Sequence, residues 1–186
     1  GNGHTLGTFG PSGEIMGFFY PRLDFAQNVR EGMAAIRFVN APEHESLVWL
    51  FDDCWEKTQA FEPGSNVLVT RLKHRHTDIQ LEITDVFPTG KQSLLRKVSI
   101  KANPEIGPLQ FMHYFRMELG DVPTRNAVQA YNNDNVVIQH YRDIVVAVSA
   151  SEKFTGHCQG AGGEGEAPTK QAMRSGHVGW SHQSIG

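Results

Sequence analysis

Three carboxylates stand within five residues in LFDDCWEKT: Asp52, Asp53 and Glu56. Glycoside hydrolysis works between two carboxyl groups, one giving a proton and the other activating water or attacking carbon. A small hydrolase built on these three is therefore one reading. Adjacent aspartates at a strand end more often cap a turn or take solvent, and no second acid elsewhere completes the pair. His74-Arg75-His76 offers two imidazoles that a strand would turn to one face, but it falls at a hairpin tip with no third ligand beside it. Solvated turn histidines are the simpler account; His113, His140 and His157 are scattered, and His157 beside Cys158 would face the opposite way along a strand. No Gly-x-Ser-x-Gly elbow presents a nucleophile.

Gly160, Gly162 and Gly165 satisfy Gly-x-Gly-x-x-Gly, yet Glu164 and Glu166 would repel a phosphate and Pro168 follows. A dinucleotide site needs that motif between a strand and a helix, so a connector is the better reading. Aromatic side chains are the remaining resource. Phe18, Phe19, Tyr20, Trp49, Phe51, Trp55 and Phe61 could stack on sugar rings, although in a sandwich about half of such a set must face the core.

The elements that would carry these residues are strands. In DIQLEITDVF, Ile79, Leu81 and Ile83 alternate with polar residues, the period of a half-buried strand. SLLRKVSIKA puts Leu94, Val98 and Ile100 on one face, interrupted by Arg96. With NVLVTRLKH before them and LQFMHYFRMEL after, where Leu109, Phe111, Phe115, Met117 and Leu119 share a face, the pattern predicts a four-strand meander. HTLGTFGPSGEIMGFFY splits into two strands around Pro11-Ser12-Gly13. Shorter strands are predicted in GMAAIRFV, SLVWLF, AVQAY, VVIQHY and DIVVAVSA, with Asn132 to Asn135 as a polar turn. Roughly a dozen strands and almost no helix predict an all-β, antiparallel sandwich over residues 1–158. Residues 159–186 read as a glycine-rich linker; one helix-compatible run lies around Gln171 to Arg174, and Trp180 stands isolated near the end.

Composition narrows the partners. Seventeen basic against twenty acidic residues leave a net charge of −3 and a pI near 6.3, so no strong field favours nucleic acid or an anionic membrane. No apolar window is long enough to span a bilayer, and GNGHTLG lacks the layout of a signal peptide. Cys54 and Cys158 form neither a disulfide framework nor a metal motif, which favours the cytoplasm.

The order of the segments resembles a known family. Asn2-Gly3-His4, Gly13-Glu14-Ile15, Tyr20-Pro21-Arg22 and Asn28-Val29 follow one another as in the opening of the N-terminal β-sandwich domain of prokaryotic and archaeal glucoamylase-type enzymes, glycoside hydrolase family 15. The resemblance continues through WLFDDCWEKTQAF, through NVLVTRLKHRHTDIQLEITDVFP and SLLRKVSIKANPE, and into RSGHVGWSHQSIG, which is similar to the linker before that family's catalytic barrel. His4 stands where the family often has arginine.

What the resemblance implies is a super-β-sandwich without catalytic residues, whose partner is an (α/α)6 barrel in the same parent chain. That barrel would carry an inverting hydrolysis of α-glucosidic bonds in glucan oligosaccharides. No cofactor or metal is implied. On this reading the FFYPRLDF stretch is a rigid corner at the rim, and Phe19, Tyr20, Pro21, Arg22, Asp24 and Trp55 are the candidates to face barrel or substrate. The alternative is a stand-alone carbohydrate-binding sandwich that uses its exposed aromatics.

Overall fold

A computed structural model of the chain describes residues 1–22, 27–121, 126–159 and 166–176. Among them are twelve strands in three antiparallel sheets and one α-helix. Two of the sheets face each other across the main core.

The first of these is the meander β5 (Trp55–Phe61), β6 (Leu68–His74), β7 (Ile79–Val86) and β8 (Leu95–Ala102), each paired with its neighbour in sequence. The period-two reading of β7 holds residue for residue: Ile79, Leu81 and Ile83 are buried and their neighbours are not. The next inward position is an aspartate, Asp85, and the register sets it directly opposite Arg96 on β8. Arg96 Nε lies 2.7 Å and Nη2 2.9 Å from the two Asp85 carboxylate oxygens. The interruption of the apolar face in β8 is therefore one half of a buried, bidentate ion pair.

The second sheet is assembled from distant pieces. β3 (Val29–Phe38) is its centre. Along one side β3 pairs through its whole length with β9 (Leu109–Met117). On the other side it meets β2 (Ile15–Phe19), itself hairpinned with β1 (Leu6–Phe9), and then β4 (Leu47–Trp49). The predicted four-strand meander thus needs correction at its last member. Pro104, Gly107 and Pro108 interrupt the chain after β8, Gly107 at φ 83° and Pro104–Ile106 as one 3-10 turn, and β9 crosses to the facing sheet. Its place in the meander is taken at the other end by β5, a strand the sequence pattern did not mark.

Ala34 and Ile36 of β3 pack with Leu50, Trp55, Leu72, Ile79, Leu81 and Ile83 to close the sandwich. On β9 Phe111, His113 and Phe115 share one face, the rings 4.8 and 5.5 Å apart, with Phe111 packed against the core and His113 exposed, and Leu119 lies past the strand in a turn. A third sheet, β10 (Ala127–Tyr131), β11 (Val136–Tyr141) and β12 (Ile144–Ser149), follows that turn, with the predicted polar turn between its first two strands. Helix α1 (Glu166–Ser175) is longer than the helix-compatible run in the sequence. No helix among the described residues is long and apolar enough to cross a membrane.

Candidate functional site

Side-chain amides build the rim at the end of the sandwich where β7 runs out. Asn2 is the first: its Oδ1 accepts from the backbone N–H groups of His4 and Thr5 at 3.1 and 3.0 Å, and its Nδ2 donates to the carbonyls of Pro88 and Lys91 at 2.7 Å each. The N-terminal turn is thereby tied to the β7–β8 loop. Phe87 fills the gap beneath, stacked on Phe18 with centroids 6.2 Å apart and tilted against Phe9 at 6.3 Å. Gly7 gives it room, since a Cβ there would come within 2.6 Å of the Phe87 ring.

Asn28 is the second amide, fully buried. Its Nδ2 donates to the Tyr20 carbonyl at 2.7 Å, its N–H to the Phe18 carbonyl at 2.9 Å, and its own carbonyl accepts from the Glu118 N–H at 3.0 Å. One residue thus fastens the Tyr20 corner to the start of β3 and the end of β9. Tyr20 then reaches across to the β7–β8 loop, its hydroxyl donating to Gln92 Oε1 at 3.0 Å. The Tyr20–Pro21 peptide is cis, and Pro21 and Arg22 project into solvent.

Of the residues the sequence singled out, Phe19, Tyr20, Pro21 and Arg22 come together at this rim. Asp24 lies outside the described residues, as do Gly160, Gly162, Gly165 and Trp180. Trp55 sits elsewhere. It is 2 % exposed at the opposite end of the meander, its indole N–H donating to the Trp49 carbonyl at 3.0 Å, and it presents no face to solvent. Asn2, Asn28 and Gln92 were missed as site residues. The available signal for Asn28 was an amide side chain beside an apolar strand start, where a polar group must find partners if buried.

The other chemical candidates resolve into structure. Asp52 Oδ2 accepts from the Trp49 N–H at 2.9 Å, a turn cap, while Asp53 and Glu56 are exposed. His74 is not a solvated turn residue: register places it opposite Trp55, with ring centroids 4.9 Å apart, and it is 8 % exposed. Its Nδ1 accepts from the His76 N–H and lies 2.9 Å from the Thr77 hydroxyl, and burial, with His76 nearby, holds its pKa below the ordinary value. His113 is pushed the same way by the protein crowded round it and then by the Arg96 guanidinium; its ring keeps contact with solvent, which screens part of that effect. Burial raises both thiols, and Asp52 adds to the rise at Cys54, so neither cysteine is an activated nucleophile. Among the described residues no group of three or more histidine, cysteine or carboxylate side chains could hold a metal ion. An open depression at the β10–β11 turn, lined by Tyr131, Asn132, Asn133 and Asp134, offers a single carboxylate and no second carboxyl group to pair with it.

Known proteins bear on this arrangement in two ways. Over 78 % of its length the chain matches a bacterial glucoamylase whose crystal structure was solved with acarbose, at a TM-score of 0.64 and 12 % identity. Its fold is that of a glucoamylase domain. The match takes in only 21 % of that glucoamylase chain. In sequence the domain is 25 % identical over 156 residues, 83 % of its length, to an uncharacterized glycosyl hydrolase of Methanocaldococcus jannaschii, and spans 24 % of that protein. No family model matches.

Proposed function

We propose that the chain is a non-catalytic β-sandwich domain of a glucoamylase-like glycoside hydrolase, and that it packs on a catalytic (α/α)6 barrel of the same parent through the Tyr20 corner. The observation that carries this reading is the asymmetry of coverage: both matches run through most of this chain, and each takes in a quarter or less of its partner. The chemistry of glucan hydrolysis then belongs to the remainder of the parent. Within this chain, Asp52 is a turn cap and its neighbouring carboxylates face solvent. The corner suits docking because its backbone is already held by Asn28 and the Tyr20 ring by Gln92, so little conformational freedom is lost on contact.

The test has two arms. Tyr20→Ala in the full parent should lower activity or loosen domain packing more than it lowers the melting temperature of this chain alone; equal losses would sink the docking role. This chain by itself should release no glucose from maltooligosaccharides and bind them weakly or not at all. Tight binding would move the reading to a stand-alone sugar-binding sandwich.

A further inference from the structure

We infer that Arg37, Ser46 and Gly176 form a latch that locks helix α1 onto the outer face of the second sheet, so that residues 166–176 act as a strut and the chain continues from one fixed point on the sandwich. The inference stands on this chain alone, whatever the parent does.

A ten-residue helix has little stability of its own in water. This one has few apolar residues to dock with, and among its described side chains Met173 is buried, 3 % exposed among Ala35, Trp49 and Tyr114. Lys170 lies over the Tyr114 ring at 5.4 Å, and the Gln171 amide donates to Glu43. The decisive contacts are at the C-terminus, where the last carbonyls of any helix lack partners. Arg37 Nε donates to the Arg174 carbonyl at 3.0 Å and Nη2 to the Ser175 carbonyl at 3.1 Å, while Nη1 is braced on Gln110 Oε1 at 3.1 Å. Ser46 Oγ lies 2.8 Å from the same Arg174 carbonyl and 2.9 Å from the Glu43 carbonyl, its one proton shared between them. A guanidinium at this end also meets the negative pole of the helix dipole.

Gly176 completes the device. It sits at φ 70°, the left-handed turn that ends a helix, and a Cβ there would lie 2.5 Å from Arg37 Cζ. The guanidinium therefore occupies the space that a side chain at residue 176 would need. The donors come from β3 and from the turn before β4, and the acceptors from α1, so the three residues join sequence-distant elements at one point.

Amide hydrogen exchange and limited trypsinolysis of the whole chain test this. In the wild type, the amides of Gln171 to Ser175 should be protected and the bonds after Lys170 and Arg174 should resist trypsin. Arg37→Ala should speed both readouts by roughly tenfold while the β3 and β9 amides keep their protection. Gly176→Ala should do the same without removing any donor, and it carries the test if Arg37→Ala disturbs β3. Arg71→Ala, in an exposed pair on the far sheet, should leave α1 unchanged. Unprotected wild-type helix amides would overturn the latch, as would equal rates in wild type and Gly176→Ala.

Discussion

The two facing sheets are built by different means. In β5–β8, neighbours in sequence are neighbours in space and every inward residue has a counterpart in register. In the other sheet, β3 takes β9 as its partner across some 80 residues of chain, and β2 is in register with β3 at one pair, Ile15↔Gly32. Closing that long loop costs entropy before any contact rewards it. The second sheet therefore leans on side chains at its ends: Gln27 donating to Met16 and Val29 carbonyls, Asn28 to Tyr20, and Glu118 between Arg30 and Arg116. A locally paired sheet is specified by its alternation, whereas a distant one is specified where its ends are tied.

The sharpest way to break this contrast is Arg96→Ala. It would leave the Asp85 carboxylate, 1 % exposed, without its partner, and chemical denaturation should show a loss of roughly 3 to 5 kcal/mol. A loss below about 1 kcal/mol would mean that the pair merely decorates the meander. Asn28→Ala comes next, at about 2 kcal/mol, because it strands the Tyr20 carbonyl. Its signature is spatial: exchange should quicken at the β2–β3 end of the second sheet and stay slow in β7.

A smaller effect follows from acid. His74 and His113 are both neutral-favouring in the fold, so the unfolded chain takes up protons first as pH falls. Stability should be level above about pH 6.5 and decline below it, and His74→Gln should flatten part of that slope. A slope of the opposite sign would contradict the placement of both rings. The smallest effect belongs to Arg71→Ala, whose partner Glu82 is also exposed, at no more than about 0.5 kcal/mol.

How far the sequence could be read follows the same division. The β1–β2 hairpin, β7, β8 and the polar turn of the third sheet carry their signal in adjacent residues, in alternation and in Pro11-Ser12-Gly13. Strand β5 did not, because Trp55 is the one buried residue of its seven and the other six, Phe61 included, are exposed or half-buried, which leaves no alternation to read. β9 was recognised as a strand but assigned the wrong partner; Pro104 and Pro108 signal a break but not a destination. Of the FFYPRLDF stretch, Phe19, Tyr20, Pro21 and Arg22 lie at the rim, while residues 23–26 fall outside the described residues. Asn2, Asn28 and Gln92 were not legible as its supports, since an amide shows its role only when the carbonyls it serves are known. His74 was misassigned for a similar reason: its neighbour in space, Trp55, is nineteen residues away in sequence.

The central claim is that this sandwich is one module of a larger hydrolase. The most direct measurement is the intact mass of the native gene product, detected in its source with an antibody raised against this chain. The account predicts a mass several times 20.7 kDa, in keeping with the 24 % of the glycosyl hydrolase that the chain spans. A product near 20.7 kDa would contradict it and leave the Tyr20 corner with no barrel to meet.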